Sequence, residues 1–339
     1  MAMDESPAII STPNTQAVGN LTLCSDTRLG CLRAAGEDAL DLLNRLSTNK
    51  VDHLQPGHWA PTVLTSDRGR IVDLLSVINS GEFVYLLTSP GQQQPVIEWL
   101  DKYTIMEDLD VEDVSTSTAV IALAGDGANA ALGLEGGELE WLPGIQYPAP
   151  RVPVGGADVI AFGHPMGPLR CCLLVCPADV APSVAAELTS GGASEANWDA
   201  WEALRISSGS PAFGSEMGDP YNPLEVGLIG AIDFTKGCYI GQEVIARLDS
   251  YERVQKYLSV LRFSDGCDAR ADAPLHLDGR QAGTVTSIYR TLGGELRGLG
   301  FVRTASATPG QMLDVQPPGS GTATVEELPQ LFGPGQDFS

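Results

Sequence analysis

The first hundred residues show two helical patterns of apolar positions, with strand-like runs between them. A spacing of i, i+3, i+4, i+7 indicates a helix that buries one face. The residues with this spacing are Ala39, Leu42, Leu43 and Leu46 in the first helix and, after Pro95, Val96, Trp99, Leu100 and Tyr103 in the second. Strand-like runs at 62–65, 71–78 and 83–88 are separated by the turn sequences DRG and NSG. Helices that alternate with hairpins predict an α+β fold.

The middle of the chain contains more glycine and proline but keeps both kinds of element. A buried strand is predicted at 169–175, and helices are predicted at 179–188 and 195–205. The apolar run at 120–124 is followed by GDG and an alanine-rich segment. Because this segment lacks the Walker lysine and the full dinucleotide spacing, we interpret it as an ordinary strand, turn and helix.

After residue 256 the pattern changes to short strands alone. The strand-like runs lie at 257–263, 274–277, 283–290, 296–302 and 312–315. The sequence DG at 278–279 is typical of a hairpin turn, so this part is predicted to be a small β-barrel. We therefore predict three domains. They are an N-terminal α+β domain at 20–115, a second α+β domain at 116–255 and a barrel at 256–330, with a loose polar arm at 1–19.

Composition narrows the class of function. The 339 residues include 43 acids and 20 bases, which give a net charge of -23. Such a charge argues against general binding to nucleic acid or to an anionic membrane, since both need a basic surface. The chain has no apolar run long enough to span a membrane and no export signal at its start, so a cytoplasmic location is predicted.

The cysteines and histidines do not form a metal-binding pattern. Seven cysteines, an odd number, in a large chain without an export signal make a disulfide framework unfavourable. Cys171 and Cys172 would point to opposite faces of a strand, and no Cys-x-x-Cys sequence occurs. The four histidines are scattered, so we predict no metal site.

The octapeptide KGCYIGQE at residues 236–243 is the most informative segment. It places Cys238 between Gly237 and Tyr239, beside Lys236 and just before a predicted helix start at Gly241. One interpretation is a strand-to-helix turn whose cysteine fills a small core space. The other is an accessible, functional thiol that is redox-sensitive, binds a metal or cluster transiently, or contacts a carrier protein. One thiolate cannot hold a cluster alone, because clusters usually need four cysteines.

Several segments resemble one family. The octapeptide matches every fixed position of the fingerprint K-G-C-Y-x-G-Q-E of YgfZ-type folate-binding proteins, which are relatives of the glycine-cleavage T-protein and of iron–sulfur assembly factors. Other matching segments are LSTN at 46–49, RGRIVD at 68–73, NPLE at 222–225, GTVTS at 283–287 and GLGFVR at 298–303. The resemblance covers most of the chain.

The resemblance implies a fold and a role. The fold is a three-domain, T-protein-like ring with a folate pocket at its centre. The role is tetrahydrofolate-dependent support of iron–sulfur cluster assembly or repair, with iron–sulfur carriers or client proteins as partners. The alternative is a folate-dependent aminomethyl or methyl transferase of the T-protein type. T-proteins tend to carry paired acids where this chain has Asp73 and Leu74. A third class is a ligand-free interaction scaffold.

The chemistry of folate suggests candidate binding residues. The flat pterin offers donors that a carboxylate accepts in pairs, and the anionic glutamyl tail favours arginine or lysine. The candidates are Asp73, Arg205, Tyr221, Glu225 and Arg247, each of which could also be a surface charge or an interface residue.

Within the octapeptide, residues are assigned as follows. Tyr239 is predicted to stack on a ligand or to pack in the core. Lys236 is predicted to favour the thiolate of Cys238 or to bind an anion. Gln242 and Glu243 are predicted to orient the loop at the helix start. Cys238, Lys236 and Asp73 are the candidate catalytic residues.

One position departs from the family pattern. Relatives often carry a glutamate two residues after the arginine at 205, and this chain has Ser207. If that glutamate holds the pterin, Glu216 or Glu225 must replace it, or folate binding is weakened.

Overall fold

The protein is described by a computed structural model that covers residues 10–11, 21–134, 146–164, 166–167, 169–250, 253–291, 293–317, 319–329 and 331. Strands are numbered β1–β19 and helices α1–α6 in chain order. The helices are α1 (Ala39–Leu46), α2 (Gln93–Asp101), α3 (Ala128–Ala131), α4 (Ala181–Ser190), α5 (Trp198–Ser207) and α6 (Gln242–Ser250). The described strands form three sheets.

The N-terminal sheet has the strand order β7-β3-β6-β5-β4-β9. Its strands are β3 (Gly30–Ala35), β4 (His58–Thr65), β5 (Ile71–Asn79), β6 (Val84–Thr88), β7 (Asp110–Asp113) and β9 (Tyr147–Pro148). The helices α1 and α2 cover one face, where Leu42, Leu43 and Leu100 are fully buried with the sheet residues Leu64 and Leu75. The predicted apolar faces of both helices therefore form the core of this domain.

The middle sheet has the order β10-β11-β12-β8-β2-β13. Its strands are β2 (Thr22–Cys24), β8 (Thr118–Ala124), β10 (Arg151–Val154), β11 (Ala157–Gly163), β12 (Cys171–Pro177) and β13 (Ser194–Glu195). The strand predicted at 169–175 corresponds to β12, and nearly all its residues are buried. Helix α4 packs on one face of this sheet through Val184 and Leu188.

The C-terminal part is a closed six-stranded barrel. Its strands are β14 (Lys256–Phe263), β15 (Pro274–Leu277), β16 (Arg280–Arg290), β17 (Leu296–Arg303), β18 (Met312–Val315) and β19 (Thr322–Glu327). The order is β16-β15-β18-β19-β14-β17, and pairing of β17 with β16 closes it. Asp278 and Gly279 form the predicted hairpin turn with φ of 50° and 73°. The α+β class and the β-barrel are confirmed.

Three short strands each join a sheet to which their neighbours in the sequence do not belong. Strand β2 pairs with β8 of the middle sheet, and β9 pairs with β4 of the N-terminal sheet. Strand β1 (Ile10–Ser11) pairs in parallel with β16 of the barrel, so this part of the predicted loose arm is ordered. The other residues of the arm lie outside the described residues. The residue limits of the three domains stay a prediction.

A shared core joins the three sheets. Trp59 of the N-terminal sheet packs on Phe162 of the middle sheet, with ring centroids 4.6 Å apart. Tyr221, in the long connection after α5, stacks on Phe301 of the barrel at 4.3 Å. None of the described helices is long and apolar enough to cross a membrane.

Candidate functional site

An apolar cavity of about 260 Å³ lies where the N-terminal sheet, the middle sheet and α5 meet. We call it the apolar cavity. Strands β5 and β6 contribute Leu74 and Leu87, the middle sheet contributes Leu173, and α5 contributes two tryptophans, Trp198 and Trp201. A concave site with apolar and aromatic walls and a few polar groups is typical of a small-molecule site.

Helix α5 brings the charged groups to this cavity. Asn197 caps the helix by accepting a hydrogen bond from the backbone of Ala200 at 3.0 Å. One turn further, Glu202 and Arg205 share a helix face and both line the cavity. Among the described residues that line the cavity, Glu202 is the one that carries a carboxylate. Reasoning from the sequence missed it, although its position three residues before Arg205 could have indicated a shared face.

Arg205 is held in a buried network. Its guanidinium donates to both carboxylate oxygens of Glu202 at 2.8–3.1 Å and to Glu216 at 3.2 Å. It also donates to the carbonyl of Ser210 at 2.8 Å and contacts the hydroxyl of Ser287 in the barrel at 3.4 Å. Since these partners occupy its donors, Arg205 orients Glu202 rather than offering itself to a glutamyl tail.

Glu216 and Glu225, the two proposed replacements for the missing glutamate, do not line the apolar cavity. Glu216 is fully buried, and its oxygens accept from Arg205, from the backbone of Ala212 and from Ser287 at 2.6 Å. Ser207 is not among the lining residues either, and its hydroxyl donates to the carbonyl of Leu204 at 2.8 Å.

Asp73 also lies away from the cavity. It is fully buried in β5 opposite Leu64, on the face of the sheet that α1 and α2 cover. Its Oδ2 accepts from the backbone N–H of Ser89 at 3.0 Å, and its Oδ1 has no hydrogen-bond partner among the described residues. Burial raises the pKa of Asp73 to about 7. Because neighbouring strand residues face opposite sides, Leu74 lines the cavity, and β5 supplies no carboxylate there.

His164 adds a polar group to the apolar cavity. Burial lowers its pKa to about 4, so the imidazole is neutral near pH 7. Its Nδ1 is buried without a hydrogen-bond partner among the described residues. Because this nitrogen is buried, the imidazole contacts the cavity through its other atoms.

Lys236 of the octapeptide has a structural position. Its Nζ donates to the carbonyls of Asn44, Ser47 and Asn49 at 2.7–2.8 Å, at the end of α1. Burial lowers the pKa of Lys236 to about 8, and the nearby carboxylates of Asp52 and Asp233 partly oppose this. All three N–H donors are therefore used, and none is left for an anion or for Cys238.

Gly241 brings the octapeptide close to the β4–β5 turn. Its φ is +85°, and a Cβ at this position would lie 2.5 Å from the carbonyl oxygen of Ser66. The preceding residue, Ile240, accepts a hydrogen bond from the hydroxyl of Thr65 at 2.6 Å. The glycine is thus required both by the backbone conformation and by the close approach.

Cys238 is exposed, as predicted, whereas the other cysteines are buried. Burial raises the pKa of Cys172 to about 12 and also raises that of Cys171 well above its ordinary value. Among the described residues, no group of three or more histidines, cysteines or acids could hold a metal ion. Cys238 is consequently the accessible thiol of the described chain.

The other predicted residues in and just after the octapeptide do not line the apolar cavity. Tyr239 is half-buried beneath the ammonium of Lys236, 5.2 Å from its ring centroid. Gln242 begins α6, and Glu243 forms an exposed ion pair with Arg247 at 2.6 Å. The structure therefore does not bring Tyr239, Glu243 or Arg247 to the cavity.

Tyr221 and Glu225 lie beside the barrel. The Tyr221 hydroxyl donates to the carbonyl of Ser215 at 3.1 Å, and its ring stacks on Phe301. Glu225 is buried 3.8 Å from the guanidinium of Arg70, and burial raises its pKa. Of the predicted folate contacts, the apolar cavity includes only Arg205.

Comparison with known proteins supports the T-protein resemblance. Residues 14–164 match the family of GCVT N-terminal domains. The chain is 30% identical over 311 residues to a putative chloroplastic transferase of Arabidopsis thaliana, covering 90% of this chain and 70% of the relative. It is 28% identical to an aminomethyltransferase of Synechocystis, covering 90% and 83%.

A solved structure shares the fold. The glycine cleavage system aminomethyltransferase T from Bartonella henselae superposes with a TM-score of 0.76 at 20% identity, covering 93% of this chain and 88% of that one. The predicted T-protein-like fold is thereby confirmed. The YgfZ-type subgroup stays a prediction. The chain belongs to the T-protein-like family of proteins with a GCVT N-terminal domain.

Proposed function

We propose that this protein binds a reduced folate, tetrahydrofolate, in the apolar cavity. The observation that carries the proposal is an apolar, aromatic cavity with one described carboxylate, Glu202, held in place by Arg205. A pterin ring is flat and presents N–H donors along one edge. Trp198 and Trp201 supply faces for the ring, and the carboxylate supplies the acceptor.

The polar groups of the cavity suit the pterin. Arg205 donates twice to Oε2 of Glu202 and once to Oε1, so Oε1 keeps a lone pair with which the carboxylate can accept from a ligand. His164 adds a neutral imidazole to the cavity wall. Glu202 would then take the role of the glutamate that Ser207 replaces.

We further propose that the folate-bound protein supports iron–sulfur cluster assembly or repair and that aminomethyl transfer is not its main activity. The residues of β5 that line the cavity are Leu74 and Ser76, and Asp73 is buried on the other face of the sheet. The cavity therefore lacks the strand carboxylate expected of a transferase. Cys238 is the exposed thiol through which a carrier or client protein would be contacted.

The second candidate is a folate-dependent aminomethyl transferase, which the names of the relatives favour. With a lipoylated carrier, an aminomethyl donor and tetrahydrofolate, we expect no methylene-tetrahydrofolate above background. Turnover that survives Cys238→Ala would assign the protein to the transferases.

Folate binding is tested by calorimetry with tetrahydrofolate under anaerobic conditions. Glu202→Gln should weaken binding about tenfold or more, because it removes a charged acceptor. Asp199→Asn is the matched control, since it removes an exposed carboxylate from the same helix. Absence of saturable binding to the unmodified protein contradicts the proposal.

A further inference from the structure

The connection between β2 and β3 contains a strained residue beside the apolar cavity. Three described residues other than glycine have a positive φ, namely Arg28 at 55°, Asp272 at 66° and Asp278 at 50°. Aspartate tolerates the left-handed region because its short side chain can hydrogen-bond to the local backbone. Arginine has no such compensation, and a strained conformation of this kind persists only where the surrounding structure enforces it.

The residues on either side of Arg28 fix its backbone. Thr27 is buried, and its hydroxyl donates a hydrogen bond to the carbonyl of Val120 in β8 at 2.9 Å. Leu29 packs against the core that the three sheets share. Both Thr27 and Leu29 line the apolar cavity. The left-handed conformation of Arg28 is therefore imposed by two neighbours that form part of the cavity wall.

The strained backbone places the Arg28 side chain over a tryptophan of the cavity. The guanidinium carbon lies 4.4 Å from the ring centroid of Trp198, which lines the cavity at the first position of α5. Asp26 accepts a hydrogen bond from Nε of Arg28 at 3.3 Å and so orients the guanidinium. A cation over the face of an indole attracts the ring and restrains its rotation.

Trp198 needs a restraint from outside its own helix. It is half-buried, whereas Trp201, one turn further along α5, is buried. A half-exposed side chain in the first turn of a helix has more than one staggered rotamer available. A binding surface that exchanges among rotamers loses affinity, because the ligand must select one of them.

Two arginines hold the two groups of α5 that are proposed to contact the pterin. Trp198 and Glu202 lie four residues apart, so they share one face of the helix, and both line the cavity. Arg205 fixes the carboxylate of Glu202 from within the helix. Arg28 fixes the indole of Trp198 from the connection between the middle and the N-terminal sheets.

We propose that Arg28 is a positioning residue, which holds the Trp198 ring in the orientation that stacks on the pterin ring of tetrahydrofolate. This inference rests on the proposed folate binding. The guanidinium contacts the indole, and the indole contacts the ligand, so Arg28 acts on affinity through one side chain. The protein keeps an unfavourable backbone at this position because that backbone sets the direction of the arginine side chain.

Substitutions at Arg28 separate the effect of the backbone from that of the side chain. Arg28→Gly and Arg28→Ala both remove the guanidinium, but only glycine relieves the positive φ. Both variants should bind tetrahydrofolate about fivefold more weakly in anaerobic calorimetry, because the cation–π contact is lost. In urea unfolding, the glycine variant should have the higher midpoint of the two. Arg28→Lys, which keeps a cation, should retain affinity within about twofold of the unmodified protein.

A double-substitution cycle with Trp198 tests whether Arg28 acts through that ring. Trp198→Leu should weaken the binding of tetrahydrofolate on its own. Arg28→Gly should then cause no further loss of affinity in the Trp198→Leu background, because the ring that it positions is gone. Additive losses of affinity would show a direct contact between Arg28 and the ligand, and they would overturn the inference.

Arg33→Ala is the matched control. Arg33 also lies over an aromatic ring, 4.9 Å from Phe83, and pairs with Glu112 at 3.8 Å, but none of these three residues lines the apolar cavity. This variant should keep full affinity. Unchanged affinity in both Arg28 variants, or a larger loss of affinity in the alanine variant than in the glycine variant, would overturn the inference alone. Failure of the unmodified protein to bind tetrahydrofolate would overturn the proposed function with it.

Discussion

Cys238 differs from the other described cysteines in its exposure to solvent. Cys238 lies on an exposed loop, while Cys171 and Cys172 are buried in β12, where burial raises their pKa values strongly. A thiol reacts as the thiolate, so the exposure of Cys238 and the raised pKa values of the two buried thiols both favour reaction at Cys238. The exposed side chain of Cys238 contributes little packing, so the residue is not needed to stabilise the fold.

Cys238→Ala should leave stability unchanged to within about 0.5 kcal/mol, because an exposed side chain buries little surface. The same variant should lose rescue of iron–sulfur enzyme activity in a deletion strain. Mass spectrometry after brief labelling with a thiol probe should find Cys238 modified first. Full rescue by the variant, or labelling of Cys238 only after unfolding, would make the residue structural.

Asp73 is a buried acid that accepts a hydrogen bond from the backbone of Ser89. Its pKa of about 7 lies above the ordinary value of 3.8 because burial disfavours the carboxylate. The folded protein therefore binds more protons than the unfolded chain between these pH values. The contribution of Asp73 to stability is full below about pH 4 and is lost as the pH rises through 7.

Asp73→Asn should remove this pH dependence, since an amide does not titrate and can still accept from Ser89. Relative to the unmodified protein, the variant should gain stability between pH 5 and pH 8. Urea unfolding at the two pH values measures the difference. The same difference in unfolding free energy between the two proteins at pH 5 and at pH 8 would contradict the assigned pKa.

The octapeptide functions as an element tied to the N-terminal sheet. Lys236 binds the end of α1, and Gly241 approaches the β4–β5 turn. The start of α6 at Gln242 was predictable from the sequence, because good helix formers follow a glycine with an acid early and an arginine late. The partner of Lys236 was not predictable, because it lies 187–192 residues away.

The two glycines of the octapeptide should differ in tolerance to substitution. Gly241→Ala should cost about 1–3 kcal/mol, since it forces an unfavourable positive φ and a contact with Ser66. Gly237→Ala is the matched control, because a Cβ there meets nothing within 4 Å. Urea midpoints of the two variants provide the measurement. Equal costs would show that the close approach at Gly241 is not rigid.

At the scale of the whole molecule, the network around Arg205 joins α5 to the barrel. Glu216 accepts from Arg205 and from Ser287 of β16, so one carboxylate links three parts of the chain. Removing one partner from a buried charged network leaves the other charge uncompensated. The network therefore stabilises the position of the barrel as well as the orientation of Glu202.

Glu216→Gln should destabilise the protein by about 3 kcal/mol and increase hydrogen exchange at the interface of β16 with α5. Ser287→Ala should cost less, about 1 kcal/mol, because it removes one hydroxyl. Exchange monitored by mass spectrometry localises the effect. Uniform loss of protection across all three sheets would indicate general unfolding rather than release of the barrel.

The sequence by itself determined the local elements and the family. Apolar spacing predicted α1, α2 and the barrel strands, because burial of one face imposes a period on nearby residues. The octapeptide identified the T-protein resemblance. Only the tertiary structure decided which distant residues meet. Glu202 faces the cavity while Asp73 does not, and Arg28 lies over Trp198, because helix orientation and strand register are set by packing between segments far apart in the chain.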